Sequence, residues 1–324
     1  MDEQDIVLDN IVDDINQDIF TDSTEEIENN IESKDIINDG IRLLFSGDAL
    51  DEDDLYLLSA RKKTSIIYIL GPVGSGKTTF ETMLYKCFLK SVDDELLFAG
   101  SETLLGYEER LNNHRLKSGN AEISMGRTNV EERRCFLHLN VNNIKRNNEY
   151  SVVFSDISGE IFERCASNVE TLESDLKNLD MARKIVLFMD GSLLLDKKQR
   201  HGVVSKTKLF LKTLKSSCFY FPNCNIDIII TKNDIIYEKT KKQEDSFINN
   251  IESKFDDLKK YYNINFIRVE AQSGENIKDI ENSKPLLTVL KDWLEDIDVK
   301  DYTRERNSRK YILKNMFNRF GEVY

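Results

Sequence analysis

Eight consecutive residues narrow the possible folds of this chain more than any other feature. They are Gly71-Pro72-Val73-Gly74-Ser75-Gly76-Lys77-Thr78, a full match to GxxxxGK[ST]. Directly before them runs Ser65–Leu70, apolar and of strand length, and after them comes a helical pattern, Lys77–Lys90. Each residue type has a physical reason. Glycines let the backbone turn tightly so that its N–H groups point inward, where they can cradle phosphate oxygens. A helix beginning after Gly76 aims its positive end at the same oxygens. Lys77 is a mobile point charge for the outer phosphates. Thr78 offers a hydroxyl to Mg²⁺, a hard cation that prefers oxygen, and Thr79 follows it in the same first turn.

The rest of the chain repeats the strand–helix alternation. Apolar runs occur at Cys135–Val141, Ser151–Ser155, Ile185–Met189, Ile226–Ile230 and Phe266–Glu270. Between them lie helical patterns at Asn168–Met181, Ser205–Leu214 and Asp245–Tyr262, and a last one at Lys284–Ile297. Near-continuous apolar strands alternating with helices predict an α/β fold of three layers, α/β/α, around a mainly parallel sheet. Ligands of such folds sit at the carboxyl ends of the strands.

Two further strand ends carry suitable chemistry. Ser155-Asp156-Ile157-Ser158-Gly159-Glu160 closes one apolar run. There Asp156 can hold Mg²⁺ through water, and the Gly159 N–H can reach a terminal phosphate. Thr231-Lys232-Asn233-Asp234 closes another. The Asp234 carboxylate can accept two hydrogen bonds from the N1–H and N2–H₂ edge of guanine, while the Lys232 stem lies along the purine face. At the last strand end, Ala271 and Gln272 follow Glu270, and the Ala271 N–H can reach guanine O6.

In this order the motifs resemble the Ras-like (TRAFAC-type) P-loop GTPases: GPVGSGKT as phosphate loop, DISG as DxxG, TKND as a variant of NKxD and EAQ as the SAK-type loop. The resemblance covers roughly residues 61–298. More narrowly, the layout is similar to bacterial double-GTPase domains of conflict and anti-phage systems, which share a long insertion after the first helix and a DxxGE run. The resemblance implies a P-loop NTPase fold, GTP as substrate and GDP as product, Mg²⁺ as cofactor, and a protein partner or effector. Catalysis would fall to Lys77, Gly159 and Glu160. The nucleotide would be held by Gly71, Gly74, Ser75, Gly76, Lys77, Thr78, Thr79, Thr231, Lys232, Asp234, Ala271 and Gln272, and the metal by Thr78, Thr128 and Asp156.

Three departures qualify that pattern. Thr231 stands where Asn is usual, so its hydroxyl must supply whatever bracing the loop has. Glu160 stands where many relatives place a water-positioning Gln, and a carboxylate beside the terminal phosphate slows hydrolysis unless it is turned away or protonated. The segment from Ser91 to Tyr150 is long, and must hold the first switch. Thr128 is its candidate Mg²⁺ threonine, with a surface loop Thr as the alternative, and one of Arg127, Arg133 and Arg134 could act as a cis arginine, although a solvated charge run is the plainer reading of the three. Two other readings stay open: a P-loop ATPase, and a nucleotide-binding interaction module with negligible turnover.

Charge divides the chain. Residues 1–60 hold 19 Asp/Glu against Lys34 and Arg42, so this segment carries −17 of the net −13 and the remainder sums to +4. This acidic leader, with apolar residues at helical spacing, is read as a separate segment: a fraying tail, a helical adaptor, or helices docked on the domain. Residues 299–324 read as a basic amphipathic helix. No apolar run is long enough to span a membrane. The acidic start is neither a secretory signal nor a transit peptide, and no nucleic-acid motif is visible. Five cysteines without a CxxC pair fit a reduced, cytoplasmic protein. His138, inside an apolar run, reads as a core or edge histidine.

Overall fold

The computed structural model describes residues 45–118, 134–220, 222, 224–240, 243–270 and 284–299. The chain forms one seven-stranded sheet in the order β2-β3-β4-β1-β5-β6-β7. Its strands are β1 (Thr64–Leu70), β2 (Leu96–Gly100), β3 (Arg134–Asn143), β4 (Asn148–Ile157), β5 (Ala182–Asp190), β6 (Cys224–Thr231) and β7 (Tyr262–Arg268). β1 pairs in parallel with β4 and β5, and the run continues in parallel through β6 to β7. On the other side β3 is antiparallel to both β4 and β2.

Side-chain alternation along β1 explains the layers. Ile66, Tyr68 and Leu70 enter one core with Leu55 and Leu58 of α1 (Glu52–Arg61), Phe162 of α4 (Gly159–Cys165), Phe210 of α7 (Lys197–Ser216) and Ile251 of α9 (Glu244–Glu252). Ile67 and Ile69 enter the other, with Phe80 and Leu84 of α2 (Lys77–Leu89), Tyr107 of α3 (Leu104–Ser118) and Trp293 of α10 (Lys284–Val299). A strand buried on both faces needs apolar residues at every position, which is why β1 reads as a continuous run. One polar residue interrupts the matching run in β6: Asp227 is buried, and it accepts from Trp293 Nε1 at 2.7 Å and pairs with Lys184 Nζ at 2.9 Å.

Several expectations need correction. The compositional break at residue 60 is not where packing begins. Leu50 bridges to Phe136 by two backbone bonds of 2.9 Å. α1 is fixed by a capping box between Asp51 and Asp54, and its Leu55 and Leu58 are buried. The acidic residues there face water, cap the helix or, as Glu52 does, pair with Arg134 and Lys177, so their charge hid a core element. The helix expected over Asp245–Tyr262 ends at Glu252 and passes through a 3-10 turn, Ser253–Phe255, because Tyr262 already opens β7 with its hydroxyl bonded to Leu211 O. The pattern at Asn168–Met181 divides into α5 (Val169–Asp175) and a 3-10 turn, Lys177–Met181. The helix expected to begin at Ser205 begins at Lys197, where Asp196 caps it. Strand β2, at the sheet edge, was not anticipated. The short helices α6 (Gly191–Leu195) and α8 (Asn233–Lys239) complete the set. Residues 1–44 and 300–324 lie outside the described residues. No helix among the described residues is long and apolar enough to cross a membrane.

His138 is a core residue, as expected: its Nδ1 accepts from the Glu102 N–H at 3.0 Å and its Nε2 meets Ser151 Oγ at 3.0 Å. Burial pulls its pKa down to about 4.

Candidate functional site

The phosphate loop spans the gap between β1 and α2. Gly71, Gly74 and Gly76 have φ of 155°, 76° and 94°, the last two plainly in the left-handed region that glycine adopts without a Cβ penalty. Lys77 is buried and donates from Nζ to Gly71 O at 2.8 Å and Pro72 O at 3.1 Å. Burial lowers its pKa, while Glu81, Asp156 and Glu163 pull the other way. Ser75 is buried and its hydroxyl closes the loop on Pro72 O at 2.8 Å. Thr78 and Thr79, in the first turn of α2, are partly exposed.

Because β1 and β4 are parallel neighbours with Ile69 opposite Asp156, the DISG segment emerges beside the phosphate loop. Ser158 caps α4 by accepting from Ile161 N. Gly159, the first residue of that helix, packs so tightly that a Cβ there would lie 2.2 Å from Val73 N. The loop and DISG are therefore in direct backbone contact. Glu160 is exposed in the first turn of α4.

The purine-side segment leaves the end of β6, two strands from β1. Thr231 is buried, and its hydroxyl donates to Ser75 O at 3.0 Å, with Met189 O at 3.3 Å as a second acceptor. The hydroxyl thus braces TKND against the phosphate loop, the bond left in question by the absence of Asn. Lys232 adopts a left-handed conformation at φ 55° and pairs with Asp190 Oδ2 at 2.6 Å. Burial opposes ionisation of Asp190, but Lys232 and Ser192 outweigh it and hold the carboxyl below its usual value. Asp234 lies partly exposed at the start of α8. The backbone Asn233 N–H donates to Val269 O at 3.3 Å, which ties this segment to the end of β7. Ala271, Gln272, Thr128, Arg127 and Arg133 lie outside the described residues.

Arg134 is removed from the list of cis arginines. It opens β3 and pairs with Asp175 at 2.6 Å and Glu52 at 3.7 Å; its charge is spent tying α1 and α5 to the sheet. Among the described residues, the guanidinium that reaches the site is that of Arg110 of α3. Its Nε and one terminal nitrogen contact Asp156 Oδ2 at 2.7 and 2.6 Å, and its other nitrogen donates to Gly106 O at 2.8 Å. Beside this pair lies Glu81, one helical turn beyond Lys77 and buried. Burial, then the Asp156 charge, pushes its carboxyl well above the ordinary range, against the pull of Arg110 and Lys77. Neither residue belongs to a motif. Glu81 could have been found from its i,i+4 spacing to Lys77, and Asp190 from its place at a strand's carboxyl end; nothing local marked Arg110.

The residues suit a hard divalent cation. Thr78 and Asp156 offer oxygen donors from adjoining elements, and the Asp156 carboxylate already attracts a cation, the guanidinium of Arg110.

A glycine-rich loop between the first strand and helix of a doubly wound sheet, with a conditioned Lys and a strand-end Asp beside it, defines a P-loop nucleotide-binding domain. The family model described as Double-GTPase 2 matches residues 65–294, and the chain belongs to that family of P-loop GTPase domains. Among solved structures it is similar to a bacterial selenocysteine-specific elongation factor, EF-Sec, at 15% identity and a TM-score of 0.34, covering 69% of this chain and 29% of that one. It is also similar to Methanosarcina barkeri Roco2 RocCORdC bound to GDP, at 13% identity and a TM-score of 0.33, covering 72% of this chain and 50% of that one. The chain therefore spans half or less of those two chains. No curated protein matches.

Proposed function

We propose that this domain is a Mg²⁺-dependent, GTP-binding and GTP-hydrolysing molecular switch of the cytoplasm, slow without a partner. The observation that carries the reading is the bond from Thr231 Oγ1 to Ser75 O. It locks the segment suited to guanine onto the loop suited to phosphates, so one nucleotide can occupy both. Lys232 and Asp234 select the base. Lys77 exchanges its two loop carbonyls for the β- and γ-phosphates, and the inward amides of residues 71–78 share the charge. Thr78 and Asp156 would hold Mg²⁺, with Thr128 the candidate third donor; the metal, when bound, neutralises charge developing on the transferred phosphoryl group. The Gly159 N–H reaches the terminal phosphate, and its loss on hydrolysis frees DISG to settle onto Val73. Glu160, exposed at the start of α4, would receive or repel the attacking water. Kinship with double-GTPase domains supports a protein effector in a bacterial anti-phage system as the output.

Competition of GTP against ATP, with phosphate release followed on the same sample, tests this. GTP should win in the wild type, and Asp234→Asn should reduce that preference at least about tenfold, through loss of the charge-assisted bonds to the guanine edge. An unchanged preference would favour the ATPase reading. Tight GTP binding without phosphate release, even with partners added, would favour a binding module, for which Glu160 in place of Gln speaks.

A further inference from the structure

Around the phosphate loop the buried polar groups are not all paired. Asp156 receives both contacts of the Arg110 guanidinium on a single oxygen, Oδ2. Glu81 is 1% exposed, yet neither of its carboxyl oxygens has a hydrogen-bond partner among the described residues. The hydroxyl of Tyr107, fully buried, is likewise without one. Glu81 lies within electrostatic range of Asp156, Arg110 and Lys77, and Tyr107 within range of Glu81 and Arg110. A carboxyl group sealed away from water with nothing to bond is costly, and its persistence beside an occupied neighbour calls for an occupant.

We propose that Arg110 is handed between two carboxylates: it rests on Asp156 when the phosphate loop is empty, and passes to Glu81 when Mg²⁺ and nucleotide arrive. This rests on the nucleotide-binding reading above and adds to it the device by which the site moves α3. A metal held by Thr78 and Asp156 and a guanidinium on Asp156 Oδ2 are like charges competing for one carboxylate. The displaced guanidinium stays buried and needs a new counter-charge. Glu81 supplies it. Arg110 is one turn from Tyr107 on α3, and Tyr107 is stacked on Tyr85 of α2, with centroids 4.6 Å apart and planes at 16°. The transfer therefore shifts α3 along α2. At its start α3 exposes Leu104 and Leu105, so the shift reaches the surface.

The test is a Mg²⁺ titration of fluorescent GDP binding to the full chain, which needs no turnover. Glu81→Gln keeps the shape of a side chain that has no hydrogen-bond partner among the described residues, and removes only its ability to neutralise the guanidinium. It should raise the Mg²⁺ concentration for half-maximal tightening about tenfold, within the usual range of coupling between sites. Arg110→Gln removes the competitor and should lower it by a similar factor. The double variant should behave as Arg110→Gln alone, because Glu81 acts only through Arg110. A Mg²⁺ response unchanged or sharpened by Glu81→Gln overturns the inference, as does an effect of Glu81→Gln that persists without Arg110. Wild-type protein that binds no guanine nucleotide at any Mg²⁺ concentration overturns the underlying reading as well, so the two failures are distinct.

Discussion

Replacing Thr231 by Val isolates the brace between the two halves of the site. The two side chains have nearly the same shape, and the position is only 3% exposed, so packing is held while the hydroxyl is lost. That hydroxyl has one proton to give, with Ser75 O at 3.0 Å and Met189 O at 3.3 Å as acceptors. Removing it costs one buried hydrogen bond and leaves a buried carbonyl under-satisfied, about 1–2 kcal/mol in all. The space is tight: a Cβ on Gly76 would stand 3.1 Å from Thr231 Cγ2, so the loop has little room to shift and re-pair the freed carbonyl. Part of the cost falls on stability, lowering the melting temperature by about 2–4 °C for a domain of this size. The rest falls on binding, since an unbraced Ser75 must be ordered anew by the nucleotide; about 1.4 kcal/mol there is a tenfold loss of GTP affinity. Calorimetric melting and a fluorescent-GTP titration read both. Thr231→Ser should restore most of each. A Thr231→Val protein that melts and binds as the wild type does would refute the claim that this bond joins the two loops.

Other outcomes follow from the same packing. Gly159→Ala puts a methyl group 2.2 Å from Val73 N, against backbone that cannot rotate away. It should cost about 1–3 kcal/mol by overpacking and slow phosphate release at least about tenfold, checked by urea unfolding and single-turnover assay. His138 titrates near 4 in the fold against an ordinary value of 6.5, so between those values the unfolded chain binds more protons and stability falls as pH drops. The full effect is about 3 kcal/mol, with about 2 kcal/mol gone at pH 5. Urea midpoints of the wild type and His138→Gln at pH 7 and pH 5 measure it, and the variant should lack this share of the acid sensitivity.

Much of the fold was legible because two-sided burial leaves a strong trace. β1, β5 and β6 are buried on both faces and apolar over most of their length, and each stood out as a run even with Asp227 inside β6. The loop conformation was legible where backbone chemistry forces residue type, as at Gly74 and Gly76, and the strand-end position of Asp156 was legible from the apolar run before it. Legibility failed in three places. α1 is so acidic that its two buried leucines were lost in the charge. β2 is an edge strand, with Leu96 alone of its five residues buried. The final turn before β7 depended on where Tyr262 packs, which helix periodicity does not record.

Order along the chain was enough to determine a phosphate loop, a sheet to carry it and the sequence of segments that could follow a nucleotide from phosphate to base, since each of these rests on local rules of backbone and strand. It could not determine which charges meet. Asp156 with Arg110, 46 residues apart, Lys232 with Asp190, 42 apart, and Thr231 with the Ser75 carbonyl, 156 apart, are decided by strand order and by how α3 lies on α2. Electrostatic pairing acts through space over a few ångströms, and only the folded sheet sets those distances.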